Sequence, residues 1–207
     1  MTQFGEHPAP IQYTIDYFKK ALMSTEPIGN VHPSMEWTDE VLDWGQKKDL
    51  ERPRQLVPHE GYIWVKEGKG SGNIVGGCLY SVLQMKGTTW DLPYENTVLC
   101  LEVPEGQSFN TGTPLAYVDS QLMDLRNAGI FDGIQGLVVG KPFKYSEQEQ
   151  HKFIDIIKKH TQDYNFPVLA NVNISHTDPI ITLPLGVKVT LDSYKNIFSI
   201  DETGVRD

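Results

Sequence analysis

The chain has 207 residues, 39% of them apolar, which suits one domain with an ordinary core, with or without an arm. Its 18 basic and 27 acidic residues give a formal net charge of -9, which argues against a nucleic acid or an anionic membrane as partner, since either needs a basic face. Two cysteines, Cys78 and Cys100, are too few for a disulfide framework, and no apolar run approaches the roughly 20 residues of a membrane span. The expectation is a cytoplasmic protein.

The start, MTQFGEHPAP, lacks the basic and apolar regions of a signal peptide and reads as a loop from inside a longer protein. Residues 10 to 23 predict a helix with Ile11, Ile15, Phe18 and Leu22 on one face, ended by Pro27 and Gly29. Residues 24 to 60 are polar and proline-bearing, with Trp37 and Trp44 among acidic residues. The stretch is long for a plain connection, so residues 1 to 60 are assigned to an arm that is either a functional loop or packed on a neighbour. A regular domain is assigned to residues 61 to 207. It opens with a strand at Tyr62 to Val65, a hairpin turn at Gly68-Lys69-Gly70-Ser71-Gly72, then Ile74-Val75. A short helix follows from Leu79 to Met85, and Val98 to Leu101 is a buried strand. Residues 114 to 128 predict a helix with Leu115, Val118, Leu122 and Leu125 inward and Gly129 ending it. Ile134 to Val139 is a strand, and Ser146 with Glu149 forms a capping box that opens a helix with Phe153, Ile154 and Ile157 inward. Val168 to Val172 is a strand, and Val187 to Leu191 with Ile197 to Ile200 forms a closing β pair. Strands alternating with helices define an α/β layer fold with extra β-structure at both ends.

The run ISHTDPIITLPLG, residues 174 to 186, puts His176 just past a buried strand, where open α/β sheets collect their chemistry. Glu102 likewise follows the strand Val98 to Leu101. If the two strands are parallel neighbours, both side chains emerge at one sheet edge. A carboxylate on one imidazole nitrogen fixes the tautomer and frees the other nitrogen to act as a base. A solvated turn residue is the alternative reading of Glu102.

Several runs together resemble the LD-carboxypeptidase and microcin C immunity family of serine peptidases. Gly76-Gly77-Cys78-Leu79 with Gly87-Thr88 is similar to that family's GGNL…GT motif. VLCLEVPEG, residues 98 to 106, resembles its ILFLEDVxE run, and QLMDLRNAGIF with IQGLVVG resembles its next helix and strand. HTDPIITLPLGVKVTLDS, residues 176 to 193, resembles its catalytic-histidine motif, and YFKKALMSTEPIG with EWTDEVLDW resembles the interdomain segment of the microcin-immunity branch. The resemblance implies a swivelling β/β/α domain, with His176 as general base and Glu102 as its orienting acid. It also implies a homodimer, no metal and no cofactor. The substrate class is an amide: the L,D-bond of a muropeptide, or a peptidyl- or aminoacyl-nucleotide.

The departures are equally specific. The family's serine sits in a tight turn of a preceding flavodoxin-like domain, and neither is present in this sequence. The expected partner is therefore a missing N-terminal nucleophile domain, and the alternative is an inactive fragment that only binds or dimerises. The family asparagine is Cys78 here, and the acid after the triad glutamate is Val103. Cys78 is read either as a substitute nucleophile or as a buried, inert thiol. Trp37 and Trp44 fall where the family has a substrate-covering loop. Trp37 reads as a staple for the arm; Trp44 reads equally as a staple or as a substrate-binding ring.

Other motifs carry less. Gly68 to Gly72 lacks the third glycine of a dinucleotide loop, and no GxSxG elbow is present. His151 and His160 fall on opposite faces of one helix at roughly 100° per residue and cannot share a metal. His160 suits the helix dipole instead. His7, His32 and His59 have no ligand-spaced partners and read as surface residues.

Overall fold

The computed structural model describes residues 2–206. A 3-10 turn at Thr2–Gly5 precedes helix α1 (Gln12–Leu22), strands β1 (Gly29–Asn30) and β2 (Glu36–Trp37), helix α2 (Lys48–Glu51) and strand β3 (Val57–Pro58). Then come β4 (Ile63–Lys66), β5 (Lys69–Cys78), α3 (Leu79–Met85), β6 (Thr97–Glu102), α4 (Leu115–Asn127), α5 (Ile130–Gly133) and β7 (Gly136–Gly140). The chain ends with α6 (Glu147–Thr161), β8 (Val168–Val172), β9 (Lys188–Asp192) and β10 (Ile197–Ile200).

Eight strands form one sheet in the order β1-β10-β9-β5-β6-β7-β8-β4. Strands β5 to β8 are parallel. Strand β4 closes one edge antiparallel to β8, while β9, β10 and β1 extend the other edge antiparallel. The apolar run of β6 is unbroken because the strand is covered on both faces. Leu99 and Leu101 pack with Val118 and Leu122 of α4 and with Phe153 and Ile157 of α6. Val98 and Cys100 pack on the opposite side with Tyr17 and Ala21 of α1 and with Leu191 and Phe198. The fold is mixed α/β with a largely sheet core.

The capping box forms as expected: Ser146 Oγ accepts from the Glu149 amide, and Glu149 Oε2 accepts from the Ser146 amide. Gly129 adopts the left-handed conformation that ends α4. Two expectations are corrected. Helix α1 buries Thr14, Tyr17 and Ala21 rather than the Ile11–Leu22 stripe, and Leu22 is 50% exposed. Small Ala21 permits close approach to the sheet, and Tyr17 buries its ring while its hydroxyl accepts from the His32 amide; apolar periodicity ranks both residues below Ile and Leu. The stretch Gly68 to Gly72 is not a hairpin turn. Lys69 to Gly72 are themselves the first residues of β5, whose partners are β6 and β9, while β4 pairs with β8. A Cβ on Gly70 would run into the Gln135 carbonyl, so this glycine marks a close backbone approach. Among the described residues no helix is long and apolar enough to cross a membrane.

Candidate active site

Because β5 to β8 are parallel, their C-terminal ends share one edge, where open α/β sheets place ligands. Glu102 is the last residue of β6, and the loop after β8 carries His176. Strands β6 and β8 are not neighbours; β7 lies between them. The two side chains still converge. His176 Nδ1 is 3.5 Å from Glu102 Oε2, and His176 Nε2 is 3.7 Å from Glu105 Oε2. All three are about one-third exposed. Burial pushes the Glu102 carboxyl above the ordinary carboxylate range, while the His176 ring pulls it back.

Both loops are fixed from outside. Ser175 Oγ donates to the Val103 carbonyl, tying the histidine loop to the end of β6. Glu105 sits in a short turn closed by a bridge to Gly112, and Thr113 Oγ1 donates to the Pro104 and Glu105 carbonyls. Fully buried Asn173 donates to Ser34 Oγ and to the Pro179 carbonyl, and accepts from the Ser34 amide. Thr38 and Asp178 exchange two backbone hydrogen bonds of 2.7 and 2.8 Å. Arg54 donates to Asp178 at 2.8 Å, to both carboxylate oxygens of Glu6 and to the Glu40 carbonyl.

These loops enclose a cleft of about 740 Å³, lined among others by Trp44, Arg54, Glu102, Glu105, Phe109 and His176. The three residues singled out in the sequence, Glu102, His176 and Trp44, therefore face one cavity. Trp44 is 53% exposed on the arm side of it. Trp37 is buried beneath Lys141 and acts as the staple. A smaller apolar pocket of about 210 Å³ adjoins Glu102 and is walled by Gly76, Gly77, Leu183 and Leu185. Cys78 stands opposite Glu102 in the β5–β6 register but does not line the cleft. Cys100 is buried, and its thiol is pushed up to about 12. Among the described residues no three His, Cys, Asp or Glu side chains are grouped to hold a metal ion.

Two histidines differ from expectation. His160 is buried, with Nε2 2.6 Å from Asp119 Oδ1, so a side-chain partner on α4 holds it rather than the dipole alone. His59 is not a surface residue: it is half-buried beside Lys141, and its pKa falls to about 4. Glu105 and Arg54 are the site residues that sequence reasoning missed. Glu105 stands within VLCLEVPEG, three residues from Glu102. Arg54 carries no local signal, because its carboxylate partners lie 48 and 124 positions away.

A carboxylate 3.5 Å from an imidazole nitrogen, at the edge of a parallel sheet and facing a cleft, is an arrangement compatible with acid–base chemistry. Comparison with known proteins supplies the class. The family model described as the LD-carboxypeptidase C-terminal domain matches residues 71–191, and the chain belongs to that family. Among individual relatives it is 27% identical to the microcin self-immunity protein MccF of Escherichia coli over 203 residues, 96% of this chain and 56% of that protein. It is 27% identical to YocD of Bacillus subtilis over 176 residues, 85% of this chain and 50% of that protein. The solved structure of MccF in complex with glutamyl sulfamoyl guanosine superposes with a TM-score of 0.82 at 26% identity, covering 99% of this chain and 59% of that one. The chain thus spans about half the length of the curated relatives it matches.

Proposed function

We propose that Glu102 and His176 are the acid and base of a Ser-Glu-His triad whose serine is supplied from outside these 207 residues. The complete assembly hydrolyses an amide bond, either in an aminoacyl- or peptidyl-nucleotide or at the L,D-bond of a muropeptide. The single observation that carries this reading is the 3.5 Å approach of Glu102 to His176 Nδ1, on the wall of the large cleft. Glu102 holds the imidazole so that Nε2 takes the serine proton during attack on the substrate carbonyl. The imidazolium then protonates the leaving amine, and water completes hydrolysis of the acyl-enzyme by the same route in reverse. Glu105, now facing Nε2, gives way to the serine. Trp44 covers the ligand and stacks on its base or ring. The ligand held by MccF favours the nucleotide class over the muropeptide. A cytoplasmic homodimer completes the proposal, on the strength of the family resemblance.

One observation favours a second reading, in which these 207 residues alone only bind or dimerise. Among the described residues Ser175 is the one hydroxyl side chain lining the cleft, and its Oγ is committed to the Val103 carbonyl. The test joins this chain to the N-terminal half of MccF and assays an aminoacyl sulfamoyl nucleotide and a muropeptide, beside the 207-residue chain alone. Hydrolysis by the joined protein alone is expected, with His176→Ala or Glu102→Gln lowering kcat by about 10⁴-fold at unchanged melting temperature. A joined protein whose turnover survives His176→Ala would falsify the triad.

A further inference from the structure

Lys141 is a charged group that the proposed hydrolysis does not use. It directly follows β7, and its side chain has no exposed surface. An ammonium has three N–H donors, and burial is tolerated only when they are met. Here Nζ donates to Glu60 Oε2 at 2.9 Å and to Asn171 Oδ1 at 3.1 Å, and lies 3.9 Å from the centre of the Trp37 ring. The last contact is a cation–π approach. Burial lowers the Lys141 pKa, and the Glu60 carboxylate opposes that shift.

The partners come from three separate segments. Asn171 lies in β8 with a φ of +64°, a left-handed conformation rare for a non-glycine residue within a strand. That turn of the backbone aims its amide at Lys141 on one side, and its Nδ2 donates to the Gly61 carbonyl on the other. Glu60 and Trp37 belong to the arm. From Trp37 the arm runs to Thr38, which pairs with Asp178, and to Asp39, which accepts from the Lys144 amide and from its Nζ. Ser34, three residues before Trp37, holds Asn173. Residues 34 to 39 are therefore joined to the histidine loop on both sides of His176, at Asn173 and at Asp178.

We propose that Lys141 is a positioning residue for His176: it seats arm residues 34 to 39 on the sheet edge, and through them sets the loop that presents the imidazole to Glu102. The inference rests on the role proposed for His176. Its readouts need neither substrate nor serine, so its failure and that of the triad are separable.

The test is nuclear magnetic resonance on the 207-residue chain. Lys141→Met keeps the side-chain length and removes the charge. The expected result is a displaced His176 ring resonance and at least tenfold faster hydrogen exchange at the Thr38 and Asp178 amides. Ile157→Val, in the core on the helix-covered face, serves as a control for general destabilisation and leaves the His176 resonance in place. If Lys141→Met does not fold, Trp37→Leu decides the matter by the same readouts, since it keeps the ammonium and both hydrogen bonds while removing the ring. A lowered melting temperature with an unmoved His176 resonance, and exchange no faster than in the control, would overturn the proposal and leave Lys141 as a post for stability alone.

Discussion

On the helix-covered face of the sheet, Leu99, Leu101, Leu137 and Val139 meet Val118, Leu122, Phe153 and Ile157, every one of them apolar and buried. At the C-terminal edge of the same sheet the contacts are Lys141 to Glu60, Arg54 to Asp178 and Glu6, Asn173 to Ser34, and His176 to Glu102. The first region is held by area removed from water, which tolerates small shifts because it has no direction. The second is held by directional polar contacts, each of which fails if its partner moves by about an ångström. The proposed site, which has to fix a carboxylate and an imidazole relative to one another, is built from the second kind and braced by the first.

Removing a large apolar group should expose the difference most strongly. Phe153 is 1% exposed and packs edge-on against Tyr145, with ring centroids 5.7 Å apart. Phe153→Ala is expected to cost about 3–5 kcal/mol of unfolding free energy, from lost transfer energy plus the cavity left behind. Chemical denaturation measures the loss. Below the transition the Glu102 and His176 resonances should stay in place. Displacement of those resonances in the folded variant would show that the two regions are not independent.

Acid should act on the edge through His59. Burial, reinforced by the Lys141 charge and opposed by Glu60, lowers the His59 pKa to about 4. His59 Nδ1 accepts from the Gly61 amide, so in the neutral ring the proton sits on Nε2, which is buried with no hydrogen-bond partner; a second proton would have to take Nδ1 and break the Gly61 bond. The unfolded chain binds that proton near pH 6.5, where the folded chain does not. Stability from this group is therefore complete above about pH 6.5 and is lost as the pH falls to about 4. His59→Phe should flatten the stability curve between those limits. An unchanged slope in the variant would mean that the loss arises at other groups.

The same contrast explains what could be read in advance. Strand β8, helix α3 and the Ser146 capping box are written in local periodicity and spacing; Glu102 ends strand β6, and His176 lies in the loop that follows β8. Glu105 lies in a turn, outside any periodic element, and carries no such signal. Arg54 and Lys141 take their meaning from partners far off in the chain; for Arg54 and Asp178 the separation is 124 residues. The buried face of α1 escapes a hydrophobic pattern for a related reason: its anchor is a tyrosine whose hydroxyl accepts from the His32 amide, a polar reason for an inward turn that such a pattern does not count.

The smallest expected effect lies where the two regions join. Ser146 caps α6 directly after Tyr145, whose hydroxyl donates to the Thr113 carbonyl near the Glu105 turn. Ser146→Ala removes one acceptor from the first turn of α6 and should cost about 1 kcal/mol. The cap is exposed, so the loss should stay local: faster amide exchange in the first turn of α6, with the Lys144–Asp39 contact and the cleft unchanged. If the Glu105 and His176 resonances move as well, the cap reaches the site through Tyr145 and Thr113, and the boundary between the two regions lies further into α6 than the contacts place it.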